Sequence, residues 1–377
     1  MSMVEWKKLG EVCEVLNGFA FKSQEYVPEG IRIIRISDVQ SGYLSDKDMV
    51  YYPIDKLPEY KRFLLSEGDI VMSLTGNPGR IAIIPNNRCA LNQRVACLRP
   101  KSVNKSYIYY LFNCKEFETI AFANSTGGAQ KNLSTVWLKS YPIPLPSLSE
   151  QERIVGILDT FTSSIENLKA QISLRRKQYE HYRDKLLDLE EKPGVEMKTL
   201  GEICEVINGR AYSQPELLSE GKYRVLRVGN FFSNDSWYYS NLELEDKYYC
   251  NKGDLLYAWS ASFGPHIWEE EKTIYHYHIW KMNCSNKIYM KYMYYWLQSE
   301  DMKGKAFGRL HGATMAHLTK ALMESLQVPL PSLEEQSRIV SILDEFEASI
   351  KNLEAQLEAR EKQYEYYREK LLTFERE

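Results

Sequence analysis

The chain has 377 residues, of which 44% are hydrophobic and 26% charged, so it is long enough for two folded domains. No apolar run approaches the ~18 residues that cross a bilayer, and the opening MSMVEWKKLGE lacks the apolar segment of a secretory signal. The seven cysteines are an odd number and form no CxxC pair, which argues against a disulfide framework and against zinc. We therefore expect a cytoplasmic protein with free thiols and no membrane contact.

The net charge of −3 is unevenly distributed along the chain. Residues 68–139 hold 9 basic and 3 acidic side chains, a local charge of +6, whereas residues 332–377 carry a net charge of −5. Phosphate groups respond to a local patch rather than to the mean charge. Nucleic-acid binding therefore remains open despite the acidic mean.

The first 146 residues predict a mixed module of strands and helices. Short strands are predicted at IRIIRI, DIVMSL and RIAIIP, which are set off by Gly, Pro and Asn turns. The segment SYIYYLFNCKEFETIAFAN reads as a helix whose aromatic residues recur at spacings of three and four, which favours core packing over a stacking surface. Arg32 and Arg35 lie three apart in the first strand, so one of them must meet another layer or a ligand.

A long helix is predicted next. Ser147 and Glu150 form an S-x-x-E capping box directly after a proline, which marks a helix start. The apolar positions that follow are spaced alternately by four and three residues, as in a left-handed coiled coil. Such a helix of about 40 residues would be ~60 Å long, and it ends before Pro193 in the linker DLEEKPGVEM.

The second half of the chain repeats the first. LGEVCEVLNG at 9–18 returns as LGEICEVING at 200–209 with 8 of 10 positions identical, and 30 of the 44 residues at 144–187 recur 185 positions later. IRIIRI returns as YRVLRV, and the S-x-x-E box returns at Ser332 and Glu335. The intervening stretches diverge, so the chain carries two copies of one unit whose frame is retained and whose other parts differ.

Each predicted helix seam is interrupted once by an arginine, Arg175 in the first copy and Arg360 in the second. An arginine in a seam costs stability but can fix the register of the two helices. Alternatively, both side chains extend into solvent. Because a whole module separates the two helices in the chain, they can lie antiparallel with pseudo-twofold symmetry.

The sequence contains no recognisable catalytic apparatus. There is no GxxxxGK[ST] or GxGxxG phosphate loop, no GxSxG elbow and no Asn/Asp-Pro-Pro-aromatic box of an adenine methyltransferase. Five of the six histidines lie at 266, 276, 278, 311 and 317, but YHYHIWK reads as a strand without the clustered carboxylates that would favour a metal site. We expect no metal, no cofactor and no catalysis in this chain.

Two divergent modules, each ending in PLPSLxEQxRIVxILDxF and a long helix, resemble the specificity subunit of type I restriction–modification enzymes over essentially the whole chain. The resemblance implies an α/β (mixed α+β) fold in which two pseudo-twofold-related DNA target recognition domains are joined by two long antiparallel coiled-coil spacer helices. The predicted boundaries are recognition domain 1 at 1–146, spacer helix 1 at 147–190, a linker at 191–196, recognition domain 2 at 197–331 and spacer helix 2 at 332–377.

The family function would be non-catalytic. Each module would read one half of a bipartite, asymmetric double-stranded DNA target, and the helices would set the unread gap and dock two methylation subunits. Two restriction subunits could join them. S-adenosylmethionine, ATP and Mg²⁺ would be used by those partners in adenine methylation and ATP-dependent DNA cleavage.

Base edges are read by Arg, Lys, Asn, Gln and His side chains, with Ser and Thr as further donors. The predicted DNA contacts lie in Gly-rich turns and in the NQR and YHYHIWK segments. In module 1 they are Ser73, Thr75, Asn77, Arg80, Asn92, Gln93, Arg94, Gln130, Lys131 and Asn132. In module 2 they are Arg210, Ser260, Ser262, His266, His276, His278, Lys281, His311, Thr314 and His317.

Two other functions compete with this interpretation. A coiled-coil protein-interaction adaptor would bind client helices and no DNA, and it gives no reason for divergent modules. The detached targeting half of a single-chain methyltransferase or nuclease would show that enzyme's catalytic motifs, which are missing from the sequence. Residues 253–320 hold only 8 basic and 6 acidic side chains, so we expect module 2 either to depend on partner subunits for phosphate contacts or to bind DNA weakly alone.

Overall fold

The computed structural model describes residues 4–85, 88–128, 131–232, 234–260, 262–307 and 318–374. The chain divides into two compact units, Met1–Asn167 with Leu357–Glu377, and Leu168–Gln356. Each unit therefore combines one module with part of both long helices. No helix among the described residues is long and apolar enough to cross a membrane.

The described part of module 1 contains ten strands and five short α-helices. In chain order they are β1 Glu5–Lys8, α1 Leu9–Val12, β2 Cys13–Asn17, β3 Ile31–Ile34, β4 Tyr51–Tyr52, α2 Leu57–Tyr60, β5 Leu64–Leu65, β6 Ile70–Ser73, β7 Ile81–Ile83, β8 Cys89–Leu91, β9 Val95–Pro100, α3 Lys105–Phe112, α4 Lys115–Ala123, α5 Thr135–Ser140 and β10 Pro142–Leu145. The first long helix, α6, spans Leu148–Leu187.

Module 2 follows the same plan. Its elements are β11 Glu196–Thr199, α7 Leu200–Ile203, β12 Cys204–Asn208, β13 Tyr223–Leu226, β14 Tyr238–Ser240, β15 Tyr249–Cys250, β16 Leu255–Ser260, β17 Ser262–Ile267, β18 Thr273–Tyr275, β19 Ile279–Cys284, α8 Met290–Gln298, α9 Glu300–Phe307, α10 Lys320–Glu324 and β20 Gln327–Leu330. The second long helix, α11, spans Leu333–Leu372.

The sheets confirm the duplication. Module 1 has a two-stranded sheet β1-β10 and two four-stranded sheets, β2-β9-β6-β7 and β4-β3-β8-β5; module 2 repeats them as β11-β20, β12-β19-β16-β17 and β14-β13-β18-β15. In each copy one pair is parallel, β3 with β8 and β13 with β18. Parallel neighbours end at the same sheet edge, so the residues after these strands are brought side by side.

The strands predicted at IRIIRI, DIVMSL and RIAIIP are confirmed, whereas the predicted aromatic helix of module 1 and its counterpart in module 2 are each divided in two. In module 1 the Sγ of Cys114 accepts the backbone N–H of Phe117 and starts α4. In module 2 the Oγ of Ser299 accepts the N–H of Met302 and starts α9. A side chain that caps a free N–H favours a new helix over continuation of the old one.

The repeated PLPSLxEQ segment anchors each module to its long helix. Tyr107 donates to the carbonyl of Pro144 at 2.9 Å, and the buried Gln151 side chain bonds the backbone of both Asn104 and Pro146. The second copy repeats these bonds: Tyr292 donates to the carbonyl of Pro329, and the Gln336 side chain bonds the backbone of Tyr289 and Pro331. The aromatic stripes are therefore core, as predicted, because Tyr107 and Tyr292 are fully buried.

The capping boxes form only in part. The hydroxyl of Ser147 accepts the N–H of Glu150 at 3.3 Å, and Ser332 does the same for Glu335 at 3.2 Å. The Glu150 carboxylate does not complete the reciprocal bond but binds the guanidinium of Arg153 twice at 2.7 Å, an arrangement that recurs in the second helix. A bidentate Arg pair satisfies both carboxylate oxygens and outcompetes a single backbone N–H.

The two long helices pack together within each unit. In the first unit the rings of Phe161 and Tyr367 stack at 5.4 Å. In the second unit, Tyr182 stacks on Phe346 at 5.5 Å and Arg176 pairs with Glu354. The later residue of α6 therefore contacts the earlier residue of α11. The helices are therefore antiparallel there, as predicted.

Candidate nucleic-acid interface

Three loops that are distant in the sequence meet at one end of module 1. The N–H of Leu74 donates to the carbonyl of Arg94 at 3.0 Å, which joins the 73–80 loop to the turn at 92–94. Gly76 donates to the carbonyl of Lys131 at 3.0 Å, and Leu133 donates to that of Leu74 at 2.7 Å, which adds the third loop. Most of the predicted contacts of this module thus share one surface.

The described part of module 2 joins the counterparts of the first two loops, with other side chains. The N–H of Trp259 donates to the carbonyl of His278 at 3.1 Å, and its indole N–H donates to Tyr277 at 2.9 Å. Arg210 joins this group through an isolated bridge to His276. The predicted contacts Gln130, His311, Thr314 and His317 lie outside the described residues.

A tight turn lies at the centre of each junction. Val95 donates to the carbonyl of Asn92 at 2.9 Å, and Ile279 donates to His276 at 2.9 Å, so each central pair of residues occupies a turn. The expectation that YHYHIWK forms one strand is therefore wrong, since β18 ends at Tyr275 and β19 begins at Ile279. His276 bonds β13 through its N–H, which diverts the chain from the strand path.

The predicted contacts differ in exposure. In module 1, Asn77, Gln93, Arg94 and Asn132 are exposed, and Arg80, Asn92 and Lys131 are partly buried. In module 2, Ser262 is exposed, and Arg210, His266, His276 and His278 are partly buried. Such side chains can reach a ligand without rearrangement of the loops.

Four predicted contacts are buried, with no more than 8% of their surface exposed: Ser73, Thr75, Ser260 and Lys281. The Ser73 hydroxyl donates to the carbonyl of Asn77 at 2.6 Å and holds its own loop. The Lys281 ammonium donates to the carbonyl of Tyr249 at 2.8 Å and lies 3.8 Å from Asp254. These bonds give Ser73 and Lys281 roles in supporting the loops.

The two junctions also differ in charge. In module 1, Arg80 bonds the amide oxygen of Gln40 at 2.7 Å, and Lys131 lies 5.1 Å from the ring of Phe122, so both cations are held by uncharged groups. In module 2, Arg210 pairs with Glu216 at 2.6 Å and lowers the pKa of that carboxyl to about 2. Module 1 therefore offers cations for phosphate, whereas the predicted arginine of module 2 is already neutralised.

His276 of module 2 is neutral at physiological pH. Burial, followed by the charges of His278 and Arg227, lowers the pKa of His276 to about 4. Burial also lowers the pKa of His266. A neutral imidazole has one donor and one acceptor and can discriminate base edges without a net charge. Among the described residues, no group of three or more His, Cys, Asp or Glu is placed to hold a metal.

Several residues at these junctions were not predicted from the sequence. They are Phe122, Arg227, Trp259 and Tyr277, of which Phe122 is 48% and Tyr277 39% exposed. Arg227 forms a pair with Arg224 that repeats the Arg32 and Arg35 spacing of module 1. Only the register of β13 with β18 places it beside His276. The aromatic residues gave no signal that distinguished them from core.

Glycine is required at Gly18, directly after β2, and at Gly209, directly after β12. At both places the chain passes close to the tight turn of the junction. A Cβ at Gly18 would overlap the carbonyl oxygen of Asn92, and one at Gly209 would overlap that of His276. We expect Gly18→Ala and Gly209→Ala each to displace the turn and cost about 1–3 kcal/mol of stability, measured by thermal unfolding.

Gly156→Ala is the matched control for these two substitutions. Gly156 lies within α6, and a Cβ there meets nothing within 4 Å. Removing a helical glycine should stabilise the chain by about 0.5–1 kcal/mol. Equal melting temperatures for all three variants would contradict the close approach of strand and turn.

Comparison with known proteins supplies the family. The model of the type I restriction modification DNA specificity domain matches residues 1–175 and again residues 193–360. A Haemophilus influenzae protein named as a type I restriction enzyme specificity subunit is 29% identical over 99% of this chain and 96% of its own length. An Escherichia coli type I restriction enzyme specificity subunit is 28% identical over 76% of this chain and 74% of its own.

Solved structures show the same fold. A type I restriction–modification S subunit from M. genitalium aligns over 100% of this chain and 97% of its own length, with 18% identity and a TM-score of 0.60. A chain from a study of type I restriction–modification complex assembly aligns over 98% and 96%, with 19% identity and a TM-score of 0.63. The α/β fold with two recognition domains and packed long helices is thereby confirmed.

This chain belongs to the family of type I restriction–modification DNA specificity subunits, because the family model covers both of its halves. Its function as a DNA sequence-specificity subunit follows, as the sequence predicts. The alternative of an adaptor that binds no DNA is not favoured.

Proposed function

We propose that each module reads one half of a bipartite, asymmetric DNA target. One observation carries this proposal: both modules gather their divergent loops at the same place on the same fold, where Asn92-Gln93-Arg94 in one copy is replaced by His276-Tyr277-His278 in the other. Different donors and acceptors on a shared frame recognise different base sequences. Two modules of this kind then define two unlike half-sites.

The contacts divide by chemistry. In module 1, Arg80, Arg94 and Lys131 supply cations for phosphate or guanine, while Asn77, Asn92, Gln93 and Asn132 supply amides suited to adenine. In module 2, His266, His276, His278 and Ser262 supply further donors and acceptors, and the set includes the predicted contacts that lie outside the described residues. Ser73 and Lys281 support these loops from within.

The helices serve as the scaffold of the complex. We propose that two methylation subunits dock on the module–helix joints, that restriction subunits can join them, and that this chain catalyses nothing. S-adenosylmethionine, ATP and Mg²⁺ belong to the partners. The joints are suited to this role because buried hydrogen bonds fix each module to its helix, so a docked subunit would be held at a defined distance from the bases.

The seam arginines are proposed to set the helix register. The guanidinium of Arg175 lies 5.8 Å from the ring of Phe346, and that of Arg360 lies 5.6 Å from the ring of Phe161. We expect the double variant R175L/R360L to gain thermal stability and to lose a single register, seen as more than one species in ion-mobility mass spectrometry. R176L, which removes an exposed ion pair, is the control. Unchanged stability and a single species for R175L/R360L would contradict the register role.

Selection from a random DNA pool tests the reading function directly. The chain, purified with its methylation subunits, should enrich duplexes with two short fixed blocks separated by a gap of constant length. Native mass spectrometry of the same preparation should show two methylation subunits for each chain. Enrichment of no sequence would contradict the reading function, and failure to co-purify would contradict the scaffold.

A further inference from the structure

Arg227 lies at the centre of the module 2 junction. The parallel strands β13 and β18 pair Leu226 with Tyr275, so the next residues of the two strands, Arg227 and His276, follow side by side. The N–H of His276 donates to the carbonyl of Leu226 at 2.9 Å and holds this arrangement. Arg227 is exposed, and its charge contributes to the low pKa of His276.

Almost every other cation of this module is neutralised. Within the described part of residues 196–330, the following pair with carboxylates: Lys198, Arg210, Lys222, Arg224, Lys247, Lys272, Lys281, Lys291, Lys303, Lys305 and Lys320. The described cations without a carboxylate partner are Arg227, Lys252 and Lys287. Lys252 precedes β16 and Lys287 follows β19, at the strand ends away from the junction.

A comparison of the two copies explains why Arg227 is unpaired. In module 1 the equivalent Arg35 is held by Asp38, which accepts its backbone N–H at 2.8 Å and its guanidinium at 3.2 Å. In module 2 the residue at the Asp38 position is Asn230, which still accepts the backbone N–H of Arg227, at 3.1 Å. The turn is kept, but the carboxylate that would neutralise the guanidinium is missing. The guanidinium lies instead 5.3 Å from the ring of Tyr238.

We propose that Arg227 is a DNA-contacting residue of module 2 and supplies a positive charge that the cations paired with carboxylates do not. This inference rests on the proposed reading function. The guanidinium donates hydrogen bonds either to phosphate oxygens or to O6 and N7 of a guanine in the half-site of this module. The replacement of Asp38 by Asn230 is the change that makes these donors available.

Two substitutions test this in the complete complex with its methylation subunits. R227A removes the guanidinium. N230D restores the carboxylate found in module 1 and keeps the acceptor for the N–H of Arg227, but it loses the two bonds that the Asn230 amide donates to the carbonyls of Asn234 and Ser236. Each should weaken binding to the duplex target about 10-fold or more. The double variant R227A/N230D should bind no more weakly than R227A, because the new carboxylate would act through the arginine. R224A, which removes an arginine that already pairs with Glu270, should bind as the wild type does.

Affinity, salt dependence and base preference distinguish phosphate oxygens from guanine as the acceptors of the Arg227 guanidinium. A uniform loss of affinity with a shallower salt dependence indicates phosphate, whereas relaxed preference at one base pair of one half-site indicates guanine. Wild-type affinity, salt dependence and motif in R227A would overturn the assignment of Arg227 alone. Absence of any preferred motif with the wild-type complex would overturn the proposed function itself. Thermal unfolding and co-purification of the variants establish that they fold.

Discussion

Exchange of residues 1–143 for the first module of another specificity subunit is expected to change one half of the methylated motif completely and to leave the other half and the gap unchanged. The reason is that the exchanged segment contains all the described junction loops of module 1. The PLPSLxEQ segment and both long helices are kept. Adenine methylation mapped across a genome measures the result.

The design of this exchange follows from the hydrogen bonds that connect module 1 to the PLPSLxEQ segment and to α6. Tyr107 and Tyr110 belong to the exchanged segment, and they donate to Pro144 and Asp159 in the retained one. An incoming module should therefore keep tyrosines at these two places, three residues apart. The reciprocal exchange of residues 197–328 is the control and should change the other half of the motif. Alteration of both halves by either exchange would contradict modular reading.

Insertion of two heptads into each long helix is expected to lengthen the gap and leave both half-sites intact. Fourteen residues extend a helix by ~21 Å, which corresponds to about six base pairs at ~34 Å per turn of DNA. Suitable positions are after Leu168 and after Leu353, which are equivalent in the two copies. A multiple of seven residues preserves the apolar seam.

A two-residue insertion at the same two positions is the control. At 3.6 residues per turn it rotates the apolar positions by ~200°, away from the seam, and it should abolish assembly or methylation. The observation that would contradict the spacer role is a heptad-extended complex that still methylates the motif with its original gap.

The repeated elements were the most predictable part of the fold. Two copies of PLPSLxEQ mark the helix starts, and the structure gives Ser147 and Ser332 the expected capping bonds. Periodicity identified the aromatic stripes as core because a buried helix face must recur every three to four residues. Both kinds of signal are local, so a sequence window contains all the information that they need.

The features that were missed depend on longer range. The breaks at Cys114 and Ser299 arise because one side chain caps a new helix inside an apolar pattern that continues across it. The turn at His276 is set by a bond to β13, some 50 residues earlier in the chain. Burial likewise separates Lys281 from the exposed candidates only once β19 is placed between β12 and β16.

The sequence alone also did not predict which cations of module 2 pair with carboxylates and which remain unpaired. Arg224 lies in β13 and Arg227 directly follows it, so the sequence alone does not distinguish them. In the structure, Glu270 pairs with Arg224 and no described carboxylate pairs with Arg227. Ion pairs of this kind join residues far apart in the chain. A count of charges in module 2 therefore indicates a weak DNA binder, whereas the arrangement leaves one arginine available at the junction.

The central claim is tested most directly by expressing this chain with its methylation subunit in a host that methylates no adenines, and mapping the modified adenines by single-molecule sequencing. The account predicts one split motif, with two short blocks on either side of a gap of constant length. A complex that assembles but modifies no adenine, or that modifies a single continuous motif, would contradict the reading of two half-sites by two modules.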